Sequence, residues 1–165
     1  MIELIILDVD GTLTDGKIIY TSKGDELKNF DVKDGLMLTS WTKKLGKKAA
    51  IITGRTSNLV ERRAKDLGIT YLYQGVDKKC DIIDEILKKE NLKWNQTAII
   101  GDDLNDLTML KKAGISFAPN NASLYIKNVV NIVCNNNGGD GAVRQMIEHI
   151  LKYDDIEEEF LKIWE

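Results

Sequence analysis

The chain has 165 residues, of which 43% are hydrophobic and 30% charged, a balance typical of a globular protein with a sizeable core. Its net charge of −3 gives no sign of a nucleic-acid surface, and no apolar run approaches the roughly 20 residues that span a bilayer. The chain has only two cysteines, Cys80 and Cys134, without metal-type spacing, and so few cysteines argue against a disulfide framework and for a reducing compartment. With no signal peptide evident, we expect a cytoplasmic protein that contacts neither nucleic acid nor membrane.

Short apolar runs alternate with helical patterns along the chain. The runs are continuous, as expected for parallel strands covered on both faces, and lie at 4–7, 49–52, 69–73, 98–100, 115–118 and 129–133. Apolar residues at helical spacing occur at 59–67, 82–87 and 104–110. The alternation predicts an α/β fold with a doubly wound, mostly parallel, Rossmann-like sheet in a single domain over residues 1–165.

Two segments break this alternation. Residues 16–32 have the pattern of a β-hairpin with a turn at 22–25. Residues 154–165 form an acidic tail whose apolar residues either cover the core or dock on another subunit. The apolar residues that we expect to be exposed in these segments, with local core packing as the alternative, are Ile18, Tyr20, Phe160 and Trp164.

Carboxylates follow two of the predicted strands. The first strand runs directly into Asp8 and Asp10, and the fourth runs into Asp102, Asp103 and Asp106. If these strands are neighbours, their carboxylates meet in one crevice beyond the strand ends, where they repel one another. A divalent cation removes that conflict; Mg²⁺ suits an all-oxygen site, and the lack of a His or Cys cluster argues against zinc. Capping and turn formation are the alternative roles, more plausible for Asp103 and Asp106 than for the first pair.

Two further strand ends carry groups that bind anions. Thr53, Gly54 and Arg55 follow the second strand, and a hydroxyl, a flexible backbone and a guanidinium together can hold a phosphate. Lys78 and Lys79 follow the third strand and open a helix, where lysines are favourable only if an anion lies nearby. Taken alone, both segments also fit an ordinary loop and a solvated surface.

In this order, the four strand ends resemble the motifs of the haloacid dehalogenase superfamily of phosphatases. Residues 8–12, Asp-Val-Asp-Gly-Thr, are similar to the first motif, Thr53 to the second, Lys79 to the third and residues 101–106 to the fourth. Lys78 is close enough to be an alternative to Lys79.

A narrower resemblance is to the 3-deoxy-D-manno-octulosonate 8-phosphate phosphatases, which serve lipopolysaccharide synthesis. The hairpin and residues 31–35, 53–55, 73–75 and 138–144 resemble that group. Gln145 departs from it, because the group usually has Glu at this position.

The resemblance implies a mechanism. Asp8 is the nucleophile that forms an aspartyl-phosphate, and Asp10 protonates the leaving alkoxide and then activates water. Mg²⁺ is held by Asp8, the backbone carbonyl of Asp10 and Asp102. Thr53 and Lys79 bind the phosphoryl oxygens.

The resemblance also implies roles around this centre. Asp103 and Asp106 orient Lys79 or a metal-bound water. Arg55 and Arg63 are candidates for the carboxylate and hydroxyls of the substrate, although Arg63 also fits an exposed helix position. The remaining expected substrate contacts are Asp10, Asp31, Lys33, Asp34, Gly35, Thr53, Gly54, Lys79 and Asn105.

The chain has no room for a cap domain over the site. Only 45 positions separate Asp8 from Thr53, and 26 separate Thr53 from Lys79. An uncapped site is wet, which weakens electrostatic catalysis. Similar proteins form a tetramer in which the hairpin and a neighbour's tail close the site, so we expect a homotetramer.

Three other functions stay open on the sequence. A neuraminate or nononate 9-phosphate phosphatase is similar, and Arg55 discriminates, because the nononate group has glutamate after Thr53-Gly54. A receiver-type signalling module also uses aspartates, a threonine and a lysine, but its acceptor follows a later strand than its acidic pair. A non-catalytic sugar-binding or regulatory module is the third, and the complete set of motif residues argues against it.

Overall fold

The computed structural model describes all residues from Met1 to Glu165. Its eight strands are β1 (Leu4–Leu7), β2 (Ile19–Tyr20), β3 (Glu26–Leu27), β4 (Lys48–Ile52), β5 (Tyr71–Tyr73), β6 (Thr97–Ile100), β7 (Ile115–Ala118) and β8 (Ile132–Val133). Six of them form one parallel sheet in the order β5-β4-β1-β6-β7-β8. The other two, β2 and β3, pair antiparallel as a separate hairpin.

Helices cover both faces of the main sheet. They are α1 (Val32–Thr39), α2 (Asn58–Leu67), α3 (Lys79–Glu90), α4 (Leu107–Lys112), α5 (Leu124–Lys127), α6 (Ala142–Tyr153) and α7 (Glu157–Lys162). Side chains of β1 alternate between two cores: Ile5 and Leu7 pack with α1, α2 and α6, and Leu4 and Ile6 pack with α3, α4 and α5. The predicted doubly wound α/β fold without a cap domain is therefore confirmed. None of the seven helices has the length and apolar character needed to cross a membrane.

Two strands begin later than predicted, because the first residues of each predicted strand hydrogen-bond to the end of the preceding helix. Ile69 donates its backbone N–H to Ala64 after the left-handed Gly68, which ends α2, so β5 begins at Tyr71 rather than at 69. Val129 and Val130 both donate to Ile126 in the last turn of α5, so β8 begins at Ile132 rather than at 129.

The sequence patterns did not predict α1 and α6. Apolar residues at 143, 146, 147 and 150 do have helical spacing, so α6 was detectable. In α1 the core-facing positions include Asp34 and Gly35, which are both buried and neither of which is an apolar helix former. Packing against the rest of the protein, rather than a local hydrophobic pattern, therefore explains why this segment is helical.

The order of the strands places a crevice at the end of β1. In the sheet, Leu7 lies between Ile51 of β4 and Ile100 of β6, and the chain connections run in opposite directions from β1. Such a reversal opens a crevice beyond the carboxyl ends of the strands. Asp8 and Thr53 follow these strand ends directly, so the fold brings the predicted motifs to one edge.

The hairpin is present as predicted, and the tail differs in one residue. A bridge between Thr14 and Phe30 extends the β2–β3 pair, and Tyr20 is exposed. Phe160 is only 5% exposed and packs in the core beside α6, so its expected exposure was wrong and local packing is its role. Trp164 is half-exposed, and the Lys44 ammonium lies 4.0 Å from its ring centre.

A buried carboxyl group joins α1 to α6. Asp34 is 1% exposed, and its Oδ1 accepts a hydrogen bond of 2.7 Å from the backbone N–H of Arg144. Its Oδ2 is buried with no hydrogen-bond partner. Burial raises the pKa of Asp34 from 3.8 to about 6, because the charged form loses its water.

This contact predicts a specific pH dependence of stability. Between pH 4 and 6 the folded chain binds more protons at Asp34 than the unfolded chain does, so its stability falls as pH rises through that window. Asp34→Asn removes the titration. It should therefore gain stability relative to wild type by about 2 kcal/mol more at pH 7.5 than at pH 4.5.

Urea unfolding at the two pH values measures this difference. Asp66→Asn is the matched control, because Asp66 is exposed on α2. An equal effect of Asp34→Asn at both pH values would contradict the prediction.

Candidate active site

A buried lysine lies between two carboxylates at the centre of the crevice. Asp8 is 4% exposed, and Lys79, the first residue of α3, is 3% exposed. The Lys79 ammonium donates to Asp8 Oδ1 at 2.6 Å and to Asp106 Oδ1 at 2.7 Å. Burial favours the neutral amine, but the two carboxylates outweigh it and raise the pKa of Lys79 above its ordinary value. Lys78 is exposed, so the structure places Lys79 and not Lys78 in the crevice.

A third carboxylate makes the crevice acidic. Oxygens of Asp8, Asp102 and Asp106 lie within 4.8 Å of one another. Burial, together with Asp106, raises the pKa of Asp8 to about 6, and burial, together with Asp8 and Asp106, raises the pKa of Asp102 to about 7. One ammonium does not neutralise three carboxylates, so the cluster has the composition of a site for a hard divalent cation such as Mg²⁺.

The hydrogen bonds of Asp106 separate its role from that of the other two acids. Its Oδ1 accepts from Lys79 and its Oδ2 accepts from the backbone N–H of Asp102 at 3.0 Å. Both oxygens are therefore engaged, which leaves Asp8 and Asp102 as the carboxylates available to a cation. Asp106 orients Lys79 and the Asp102 backbone.

Asp103 and Asn105, the neighbours of Asp106 in the fourth motif, are both exposed. Asp103 is exposed, and its carboxylate accepts from the backbone N–H of Leu104 at 2.8 Å, which caps the short 3₁₀ turn that follows. It forms no hydrogen bond or ion pair with Lys79, so it does not orient this lysine here, and its expected role in orienting a metal-bound water stays a prediction. Asn105 is exposed and lines a pocket of about 250 Å³ beside Lys79.

The loop after β1 approaches Asp102 so closely that only glycine fits at position 11. Gly11 has φ +94°, and a Cβ there would lie 2.1 Å from Asp102 Oδ2. On its other side, a Cβ at Gly138 would lie 1.8 Å from the carbonyl oxygen of Gly11. Thr12 Oγ1 donates to Asp102 Oδ1 at 3.3 Å. The loop is thus held between the fourth motif and the segment before α6.

Thr53 lies buried at the tip of β4, next to β1. Its backbone N–H donates to Tyr73 at 3.0 Å, and its carbonyl accepts from Val76 at 3.1 Å. These bonds fix Thr53 at the edge that also carries Asp8, while Gly54 after it is exposed. A hydroxyl and an ammonium at adjacent strand ends form a combination that binds phosphoryl oxygens.

The Asp10 carboxylate lies outside the three-acid cluster and contacts two cations. Its Oδ1 accepts from the Lys28 ammonium at 2.5 Å, and its Oδ2 lies 3.8 Å from Arg55 Nε. Arg55 also donates to Glu26 at 2.9 Å. Lys28 and Glu26 belong to the hairpin, and neither was predicted as a site residue. Their spacing of two in a strand predicts a shared face, but not that this face meets the crevice.

Most of the expected substrate residues at or beside the start of α1 make packing contacts within the chain. Asp34 is buried against α6, and a Cβ at Gly35 would lie 2.3 Å from the Arg63 guanidinium. Arg63 donates to the backbone carbonyl of Asp31 at 3.0 Å, and the Asp31 carboxylate caps α1 by accepting from the N–H of Lys33. Lys33 is exposed and forms no ion pair with the crevice. The expected roles of these five residues in substrate binding stay predictions.

Comparison with known proteins identifies the relatives of this site. A family model for haloacid dehalogenase-like hydrolases matches residues 72–147. The 3-deoxy-D-manno-octulosonate 8-phosphate phosphatase KdsC of Haemophilus influenzae is 38% identical over 151 residues, which cover 92% of this chain and 83% of that protein. The KdsC protein of Escherichia coli K12 is 41% identical over 154 residues, which cover 91% of this chain and 79% of that protein.

Solved structures agree with these relatives. The crystal structure of 3-deoxy-D-manno-octulosonate 8-phosphate phosphatase from Moraxella catarrhalis, in complex with a magnesium ion, a phosphate ion and a KDO molecule, matches with a TM-score of 0.94 and 41% identity. The match covers 99% of this chain and 94% of that one. The cobalt-bound phosphatase from Haemophilus influenzae matches with a TM-score of 0.86 and 38% identity, over 92% of this chain and 88% of that one. The chain belongs to the 3-deoxy-D-manno-octulosonate 8-phosphate phosphatase family of the haloacid dehalogenase superfamily.

Proposed function

We propose that the protein hydrolyses the phosphate monoester of 3-deoxy-D-manno-octulosonate 8-phosphate, a step in the synthesis of lipopolysaccharide precursors. The observation that carries the proposal is the buried Asp8–Lys79–Asp106 contact beside Asp102. It lies in a chain that aligns over 99% of its length with a phosphatase that holds magnesium, phosphate and KDO.

The reaction proceeds in two steps through Asp8. Its carboxylate attacks phosphorus and forms an aspartyl-phosphate, while the bond to the sugar oxygen breaks and Asp10 protonates the leaving alkoxide. Asp10 then takes a proton from water, whose oxygen attacks the same phosphorus, releasing phosphate and restoring Asp8. Thr53 and Lys79 hold the phosphoryl oxygens during both steps and stabilise their charge.

A magnesium ion fits this arrangement. Asp8, Asp102 and the backbone carbonyl of Asp10 would hold it, and when bound it supplies positive charge between the nucleophile and the phosphate. Three carboxylates around one ammonium give the cluster a surplus of negative charge, which such a cation would balance.

Arg55 is the residue that we assign to the carboxylate of the sugar acid. Its side chain is 46% exposed and lies beside Asp10, at the mouth of the crevice. A guanidinium binds carboxylates in a bidentate manner. Gly54 and Asn105, both exposed at the rim, are the further contacts that we propose.

We also propose that the protein is a cytoplasmic homotetramer. The hairpin exposes Ile18, Tyr20 and Leu27, and α1 exposes Val32 and Leu36, which together offer apolar surface for subunit contacts. Closure by a second subunit would exclude water from an uncapped site. Free cysteines in the chain fit a reducing compartment.

The first prediction about function concerns the choice of substrate and the role of the nucleophile. With Mg²⁺, kcat/KM should favour the eight-carbon 8-phosphate over a nononate 9-phosphate by at least about a hundredfold, and Asp8→Asn should reduce turnover to background. Phosphate release measures both. A preference for the nine-carbon substrate would overturn the role of Arg55, and an active Asp8→Asn variant would overturn the mechanism.

The second prediction concerns the metal. Mg²⁺ should raise the melting temperature because it binds only the folded cluster, by an amount equivalent to about 2.7 kcal/mol at a hundred times its Kd. Differential scanning fluorimetry with EDTA and then Mg²⁺ measures the shift. Asp102→Asn should lose most of the shift, whereas Asp103→Asn should keep it; equal shifts in the two variants would contradict the assigned ligands.

The third prediction concerns assembly. Light scattering should give a mass four times the 18.6 kDa of the chain, and Tyr20→Lys should lower it, because a charge then enters an apolar contact. Tyr125→Lys is the control, since Tyr125 is at least as exposed as Tyr20 but lies on α5. A monomeric wild-type protein at working concentration would contradict the assembly.

A further inference from the structure

The hairpin turns a charged face towards the crevice. Glu26 and Lys28 are two positions apart in an extended segment, so their side chains point to the same side, while Leu27 points outwards and is 50% exposed. The Lys28 side chain is only 2% exposed, although lysine is among the residues least often buried. The buried ammonium therefore needs nearby negative charge in place of the water that it has lost.

Two carboxylates supply this negative charge. Lys28 Nζ lies 2.5 Å from Asp10 Oδ1 and 3.5 Å from Glu26 Oε1. Glu26 in turn lies 2.9 Å from Arg55, whose Nε is 3.8 Å from the second oxygen of Asp10. Two acids and two bases therefore form a closed network, and a cation faces each oxygen of Asp10.

This network decides where the Asp10 carboxylate points. Asp10 lies two residues from Asp8, yet its carboxylate is outside the cluster formed by Asp8, Asp102 and Asp106. A carboxylate so close to a divalent cation site is a potential ligand. As a ligand, its carboxylate would turn towards the cluster and away from the leaving oxygen, which a general acid must contact directly.

We propose that Lys28 is a positioning residue, which holds the Asp10 carboxylate on the sugar side of the crevice and out of the metal cluster. Glu26 holds Arg55 in the same network, so the hairpin sets the direction of both groups that face the sugar. This inference rests on the proposed aspartyl-phosphate mechanism and adds a residue to it.

The test compares substrates whose leaving groups depend to different degrees on protonation by a general acid. p-Nitrophenolate leaves readily without one, whereas phenolate is a poorer leaving group and a sugar alkoxide the poorest. Lys28→Met keeps the length of the side chain and removes its charge, Lys28→Arg keeps the charge, and Lys23→Met is the control at the exposed hairpin turn. The first turnover on p-nitrophenyl phosphate, phenyl phosphate and the sugar 8-phosphate is measured by rapid quench with excess Mg²⁺.

Lys28→Met should slow the first turnover of the sugar 8-phosphate by about a hundredfold, the contribution typical of general acid catalysis. On p-nitrophenyl phosphate the loss should be about threefold or less, with phenyl phosphate between, because a misdirected acid matters little when no proton is needed. KM should change little, since the loss is confined to the transition state. Lys28→Arg should recover most of the rate, and Lys23→Met should match wild type on all three substrates.

Equal losses on the three substrates would overturn the proposal, because they indicate a general structural or phosphate-binding role. Unchanged rates in Lys28→Met would overturn it as well. Retained turnover of p-nitrophenyl phosphate shows in the same experiment that the variant is folded. A wild-type protein that hydrolyses both aryl phosphates but not the sugar phosphate would remove only the substrate assignment, and the aryl pair would still test Lys28.

Discussion

Repulsion among Asp8, Asp102 and Asp106 is the constraint on which the rest of the site depends. Three carboxylates with oxygens within 4.8 Å of one another are unfavourable unless positive charge is supplied. Lys79 supplies one positive charge from the first turn of α3, which leaves the cluster with more carboxylates than cations. A divalent cation at this cluster would balance the remaining negative charge.

The architecture explains why the three carboxylates stay close together in a stable protein. Asp8 follows β1 and Asp102 follows β6, and these neighbouring parallel strands are fully buried on both faces. The packing of the two cores fixes the strands, so the carboxylates cannot separate to relieve their repulsion. Asp106 adds a charge but also restrains Lys79 and the Asp102 backbone, which keeps the cluster in one geometry. The stability of the scaffold thus holds together groups that would otherwise move apart.

The sequence predicted the parts of this arrangement that follow from strand order. Asp8 and Asp102 were expected in one crevice if their strands were neighbours, and β1 and β6 are neighbours. Thr53 was added to them by its resemblance to the second family motif. Lys78 and Lys79 could not be separated, because the choice depends on which residue begins α3, and helix boundaries are uncertain by one or two positions. Lys28 was missed since its role depends on how the hairpin folds over the crevice, which no local pattern encodes.

Other expectations came from resemblance alone. Asp31, Lys33, Asp34, Gly35 and Arg63 were assigned to substrate in this way, and resemblance transfers a position but not its surroundings. In this chain, these residues build the start of α1 and its contacts with α2 and α6. Phe160 was misplaced for a related reason, because an apolar residue in an acidic tail has the same pattern whether it covers its own core or another subunit.

The close approach of Gly11 to Asp102 has a consequence for how such an enzyme can evolve. Any side chain at position 11 would collide with the Asp102 carboxylate, and any at 138 would collide with the loop itself, so lack of space excludes substitution at both positions. Arg55 at the rim is less confined, because its side chain is 46% exposed. Substitution at the rim is therefore sterically possible, while the two glycines beside the carboxylate cluster are fixed by lack of space.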